Sequence, residues 1–224
     1  MKNSSAILFL ICSALAVCVA IITSFNVVMS AGGGQWSEMG SGMNGEVLSI
    51  AVAPNGDIYA GGNFSTAGSA SASNIARWDG ENWYDLGSGV DGGVSAIAIA
   101  PNGDVYAGGW FATAGGATAN NIARWDGSNW YAFSSGMDGS VSSIAIAPSG
   151  DVLVGGEFTV IDGTTVNHIA LWDGSSWNPM GDGVSGQVNG IVIAPNGDVY
   201  AGGWFANSVV RYDSGNWYAL GSGA

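Results

Sequence analysis

Apolar and polar positions alternate in short runs through most of the chain. Between residues 94 and 100, Val94, Ala96, Ala98 and Ala100 share one parity, and Ser95, Ile97 and Ile99 share the other. A period of two is the signature of a β-strand, whose successive side chains point to opposite faces. Pro101-Asn102-Gly103-Asp104 follows, and Asn-Gly between two apolar runs signals a tight hairpin. The pattern predicts a second strand over Val105–Gly108, running on through Trp110 and Phe111, and a loop over Ala112–Ala119. A third strand over Asn121–Trp125, a turn at Asp126-Gly127-Ser128 and a fourth strand over Trp130–Phe133 complete the unit. Nothing in the unit has helical periodicity or length.

The unit recurs. Trp36, Trp83, Trp130 and Trp177 are 47 residues apart, and Trp217 follows after 40. Pro54, Pro101, Pro148 and Pro195 keep the same step, as do the glycine pairs Gly61-Gly62, Gly108-Gly109, Gly155-Gly156 and Gly202-Gly203. The last copy is short by seven residues in its second loop, around Ala206-Asn207. Tandem four-stranded units of this length predict an all-β fold, a β-propeller of about four blades over residues 35–224. Side-chain size agrees: alanine dominates the first strands and tryptophan the third and fourth. That is the gradient blades need if they diverge from an axis. Trp36 to Gly40 reads as an isolated fourth strand, and Trp217 to Gly221 as the fourth strand of the last unit. One copy is therefore surplus. Either the ring closes within one chain with a copy left over, or chains join into a larger ring. A closed monomer is the favoured expectation, because an open array leaves a bare sheet edge.

The pattern resembles kelch-like propellers. There a glycine pair closes the second strand, an aromatic-Asp pair closes the third, and a Trp opens the fourth. Here these are Gly108-Gly109, Trp125-Asp126 and Trp130, with equivalents in every unit. It is similar still more to the Gly- and Trp-rich propeller repeats of exported bacterial proteins. The chain departs from kelch in having Trp, or Tyr212, where Tyr is usual. The resemblance implies a fold and carries no function with it.

The N-terminus changes the picture of where the protein works. Lys2 precedes an apolar stretch, Ala6 to Ile22, broken only by Ser13. Residues 1–31 read as a signal peptide or an uncleaved N-terminal membrane anchor. Either places the body in a secreted, periplasmic or cell-surface setting. Cys12 and Cys18 both lie in that segment, so the exported part has no disulfide and no thiolate chemistry. Beyond it stand 17 acids against 3 arginines, in a chain of formal charge -13. So acidic a surface repels phosphate backbones and excludes nucleic acid. Anionic lipid is a poor partner too, and membrane contact is expected only through the N-terminal segment.

Several constellations invite chemistry. Gly87-Ser88-Gly89-Val90-Asp91-Gly92 fits a dinucleotide fingerprint, but a strand follows it where phosphate binding needs a helix. The turns at Asp79-Gly80, Asp126-Gly127 and Asp173-Gly174 resemble the Asp-boxes of sialidase-like propellers, which are structural. The aspartates are expected to cap the turns, and no compact set of oxygens suggests calcium. Arg77, Arg124 and Arg211 share one repeat position, where Leu171 stands in the third unit. They could clamp a carboxylate, but third strands near the rim keep them apart, and structural pairing with a nearby Asp is expected. His168 is the only histidine and is expected to be structural.

The informative variation follows the glycine pairs: Asn63, Trp110, Glu157 and Trp204, each before a Phe. Connectivity puts these positions on one face, with the second loops and the loops at Asn44, Asp91, Asp138 and Ser185. The uniform Asn-Gly and Asp-Gly turns take the opposite face. Trp110, Trp204, Glu157 and Asp138 are the candidate ligand-binding residues, suited to stacking on a sugar or docking a peptide. The expected function is that of an exported, non-enzymatic binding or scaffold module, with a glycan or protein as ligand and no cofactor or metal. A monomer is favoured. A polysaccharide hydrolase or lyase using Glu157 and Asp162 is the enzymatic alternative, and edge-to-edge self-association the structural one.

Overall fold

A computed structural model describes residues 38–220. The expected signal or anchor and Trp36 lie outside the described residues. Four antiparallel four-stranded sheets follow one another in chain order. Blade 1 comprises Glu46–Val52, Ile58–Asn63, Ile75–Trp78 and Trp83–Asp85. Blade 2 comprises Gly93–Ile99, Val105–Trp110, Ile122–Trp125 and Trp130–Ala132. Blade 3 comprises Val141–Ile146, Val152–Gly156, Ile169–Trp172 and Trp177–Pro179. Blade 4 comprises Val188–Ile193, Val199–Gly203, Val209–Asp213 and Asn216–Ala219. First strands pack in series, each on the next, and second strands pack on the following blade's first strand. First strands therefore line the hub and fourth strands the rim, the radial order expected from side-chain size. No described helix is long and apolar enough to cross a membrane.

Three further hairpins lie inside the second loops of blades 1 to 3: Thr66–Ala67 with Ala70–Ser71, Thr113–Ala114 with Ala117–Thr118, and Val160–Ile161 with Thr164–Thr165. The sequence pattern predicts only a loop over Ala112–Ala119, where the structure adds a hairpin. Two-residue strands are too short to show a period. Blade 4 has no such hairpin among the described residues, consistent with its seven-residue deletion.

The strict parity of the first strands needs correction. In every blade the register between strands one and two slips once, between Val47 and Ser49, Val94 and Ala96, Val141 and Ser143, and Val188 and Gly190. This β-bulge re-phases the strand. Val94 thus shares its face with Ile97 rather than with Ala98. Both lean on blade 1, where a Cβ placed on Gly61 would lie 2.5 Å from Val94 Cγ1 and 2.9 Å from Ile97 Cδ1. Gly108 receives Val141 and Ile144 in the same way, and Gly155 receives Val188 and Ile191. Each joint is a Val-Ile knob in a glycine socket. Polar bonds add to it: Ile97 N–H donates to Ser49 Oγ at 2.9 Å, and Ile191 N–H to Ser143 Oγ at 3.0 Å.

At the rim, the fourth-strand tryptophans of three blades bond one repeat upstream. Trp83, Trp130 and Trp217 donate Nε1–H to the carbonyls of Met39, Leu86 and Met180 at 2.7–2.8 Å. Leu86 and Met180 follow the fourth strand of the preceding blade, and Met39 lies ahead of blade 1. Each ring also meets an aromatic of the third strand, as Trp130 meets Trp125 with centroids 5.4 Å apart.

Among the described residues the first and last blades do not seal against each other as a closed four-blade ring requires. Ile97 and Ile191 are buried against the preceding blade, whereas their blade 1 equivalent, Ile50, is 56 % exposed. Ile75, Ile122 and Ile169 are fully buried beneath the next blade, whereas their blade 4 equivalent, Val209, is 43 % exposed. A Val and an Ile fill each internal joint, whereas their blade 1 equivalents, Val47 and Ile50, stay exposed among the described residues.

Candidate functional site

The variable face is framed by one device repeated three times. Asn44 Oδ1 accepts the N–H groups of Ser65 and Thr66 at 2.9 and 3.0 Å. Asp91 Oδ1 accepts those of Ala112 and Thr113, both at 2.8 Å. Asp138 Oδ1 accepts those of Thr159 and Val160 at 2.7 and 2.9 Å, and its Oδ2 accepts from Thr159 Oγ1 at 2.8 Å. The loop entering each blade is thereby tied to the second loop of that blade, which places both on one face as the connectivity required. Burial pushes the carboxyls of Asp91 and Asp138 up, but the backbone N–H donors outweigh it and hold both below the usual aspartate range. Asp138 is thus engaged in anchoring a loop, and only the remaining lone pairs of this exposed carboxylate face solvent.

Trp110, Glu157 and Trp204 occupy one register in blades 2, 3 and 4, with Glu157 between the two tryptophans. Trp110 pairs across the sheet with Gly93. Its ring lies over that glycine, where a Cβ would strike it and Asn63 Oδ1 of blade 1. Trp110 is still 48 % exposed, and Trp204, whose loop is shortened, is 79 % exposed. Glu157 is exposed and accepts from Ser140 Oγ at 3.1 Å. Between blades 1 and 2 the same face holds an open hollow of about 480 Å³, lined by Asn44, Asn63, Ser65, Ser73, Asn74 and Asp91. The sequence reading placed Asn63 and Asn44 on this face without selecting them. Their signal is the substitution of amide for carboxylate, and for Trp, at fixed repeat positions.

The other constellations resolve into structure. Arg77 pairs with Asp57 and Arg124 with Asp104, both at 2.9 Å, and Arg211 with Asp198 at 3.1 Å. Each pair stays within its own blade, and Arg77 and Arg124 also stack over Tyr84 and Tyr131. They do not converge on a ligand. In the turns, Asp79, Asp126 and Asp173 each accept two backbone N–H bonds from residues two and three ahead. Those donors hold Asp79 and Asp126 below their ordinary pKa, led by the N–H of Asn82 and of Asn129. Among the described residues no group of three or more His, Cys, Asp or Glu is placed to hold a metal.

His168 shows what its position requires. Its φ is 71°, in the left-handed region, and its equivalents Asn74 and Asn121 have φ 64° and 73°. Asparagine adopts this region more readily than most residues. Asn74 and Asn121 also donate Nδ2–H to the carbonyls of Val90 and Met137 at 2.9 and 3.0 Å. His168 Nδ1 is buried without a partner among the described residues. His168→Asn is therefore expected to raise stability by about 1 kcal/mol, read as a higher urea midpoint. An unchanged midpoint would show that the imidazole already satisfies the site.

Four radial four-stranded sheets with a shared hub define the protein as a β-propeller, and its variable loops lie at one end. The sequence matches the Rax2 C-terminal beta propeller domain over residues 24–135 and again over 85–222. The chain belongs to that family. No curated protein matches it in sequence. Among solved structures it is similar to virginiamycin B lyase from Staphylococcus aureus, with 17% identity and a TM-score of 0.53, covering 81% of this chain and 59% of that one. The extracellular domain of BT4673 from B. thetaiotaomicron has 13% identity and a TM-score of 0.52, covering 75% of this chain and 21% of that one. PorZ, a surface component of the type-IX secretion system of Porphyromonas gingivalis, has 12% identity and a TM-score of 0.51, covering 86% and 29%. The chain thus spans between 21% and 59% of the length of these three structures. At such identities the likeness is one of fold.

Proposed function

We propose that this propeller is an exported, non-enzymatic binding or scaffold module whose ligand, a glycan or a protein segment, docks on the face carrying Trp110, Glu157 and Trp204. The observation that carries the reading is the exposure of Trp110 and Trp204 at a register where the frame around them is uniform. An indole in water gains from stacking on a sugar face or covering an apolar side chain. Glu157 between them supplies an acceptor for hydroxyl or N–H groups. Asp138 contributes chiefly by holding its loop. The apolar N-terminal segment and the acidic surface support export. So does similarity to a domain described as extracellular and to a surface component. The kelch-like character of the repeat belongs to the same reading and rests on the glycine pair, the aromatic-Asp pair and the Trp of each unit.

Glycoside cleavage, the hydrolase form of the enzymatic alternative, needs one carboxylic acid kept protonated and one ionised carboxylate. Asp162 accepts from Ser135 Oγ and its N–H, which hold its carboxyl below the ordinary value, so it suits only the ionised role and the acid would have to be Glu157.

A glycan array and a pull-down from the native surface fraction, followed by titration, test the proposal. Trp110→Ala and Trp204→Ala are each expected to weaken the detected ligand about tenfold with the fold intact. A double variant that binds every detected ligand as the parent does would remove the site.

A further inference from the structure

The two ends of the blade array are complementary halves of the joint that the chain builds three times internally. At each internal joint a Val and an Ile from one blade seat on the first glycine of the preceding blade's pair: Val94 and Ile97 on Gly61, Val141 and Ile144 on Gly108, Val188 and Ile191 on Gly155. The knob recurs at the free front of blade 1 as Val47 and Ile50, the latter 56 % exposed. With Ile58, Ala60, Met39 and Met43 they line an apolar hollow of about 480 Å³. The socket recurs at the free back of blade 4 as Gly202. A Cβ there would meet nothing closer than Ser208 O at 3.7 Å and Val209 Cγ2 at 4.0 Å. Val209 beside it is exposed, although its equivalents in blades 1 to 3 are fully buried.

We infer that a second copy of this chain occupies these faces, with the back of blade 4 of one copy seated on the front of blade 1 of the other. The occupant follows from continuity: the surface that fits the blade 1 front is already present three times in the molecule, and its fourth copy is free among the described residues. The contact is carried by strands one to three of blade 4. Met39 already holds the place that Leu86, Phe133 and Met180 hold at the internal joints, since Trp83 bonds its carbonyl. Knob and socket differ, so the association is head to tail, and such contacts form a ring when the rotation closes. Two copies supply eight blades, within the usual range of four to eight for propellers. This departs from the expected monomer. It is independent of the ligand face, which lies at the loop end of the blades.

Sedimentation velocity of the full chain at micromolar concentration tests the inference, with Gly202→Val and Ile50→Asp as variants. Both positions are open in the single chain, so circular dichroism is expected to match the parent. The parent is expected to sediment at twice the mass of one chain and each variant alone at one mass. An equimolar mixture of the two variants is expected to recover the double mass, because it restores one intact front and one intact back. A parent that stays at one mass overturns the inference. So does association abolished by Ile50→Asp yet untouched by Gly202→Val, the signature of front-to-front pairing.

Discussion

Gly109→Ala is expected to cost about 3 kcal/mol of folding stability, at the upper end of overpacking penalties, and more than Gly108→Ala in the same pair. The two glycines face different obstacles. A Cβ on Gly108 would press on Val141 Cγ1 at 2.5 Å and Ile144 Cδ1 at 3.1 Å. Those are side-chain ends across the joint with blade 3, and they can turn at some cost in packing. A Cβ on Gly109 would overlap the carbonyl oxygen of Gly93 and lie 2.9 Å from its carbon and 3.0 Å from Val94 Cα. Those atoms are backbone at the β-bulge, so relief requires moving the innermost strand of the blade. Gly62, Gly156 and Gly203 meet the same carbonyl in their own blades, so the second glycine is the price of the bulge. Urea unfolding of the two variants and of Gly202→Ala checks the order. In the single chain, measured below the concentration at which copies associate, Gly202→Ala is expected to lie within about 0.5 kcal/mol of the parent, as surface changes usually do. Equal losses at Gly108 and Gly109 would show that the bulge carbonyl is not the obstacle.

That bulge also marks where the sequence stopped speaking. The step of 47 residues, the turns and the radial gradient of side-chain size were legible because each is local and repeated. The alternation of Val94 with Ala96 and Ala98 was legible as well, yet it misassigned Val94, since one extra residue flips the phase of everything beyond it. The glycine pairs were visible as a constant. Their two functions, socket and bulge partner, depend on which blade stands opposite. Ring closure was out of reach for a related reason: it depends on how the first and last blades meet, which no local motif records, and the exposure of Ile50 and Val209 is visible only in three dimensions. On the candidate face, Trp110, Glu157 and Trp204 stand out in the sequence because they break a pattern. The task of Asp138 was hidden, because a loop-anchoring carboxylate and a ligand-binding one look alike in sequence, and only its bonds to Thr159 and Val160 tell them apart. The arginines were read correctly as partners of nearby aspartates, since third-strand positions near the rim cannot converge.

The tryptophans divide into two populations, and the largest side-chain effect is expected in the one the repeat holds constant. Trp130→Ala is expected to cost about 3–5 kcal/mol, the range for removing a large aromatic from a packed site. Its ring packs on Trp125, lies against Gly115 and donates to Leu86 across the joint at 2.7 Å. Trp204→Ala, at 79 % exposure, is expected to leave stability within about 0.5 kcal/mol of the parent, its effect falling on ligand binding instead. Phenylalanine separates ring from hydrogen bond. Trp130→Phe keeps most of the apolar area but removes one of the two donors on the Leu86 carbonyl, which keeps the Gly89 N–H at 3.1 Å, a loss of about 1 kcal/mol beyond the packing change. Trp177 stands at the same position one blade on, packed on Trp172 with centroids 5.3 Å apart, yet its Nε1 is buried without a partner among the described residues. Trp177→Phe removes an unsatisfied donor rather than a satisfied one, so it is expected to cost less than Trp130→Phe. Denaturation midpoints of the two Phe variants decide the matter. If Trp177→Phe is the more damaging, the Nε1 of Trp177 has a partner and the rim hydrogen bond is a feature of all four blades.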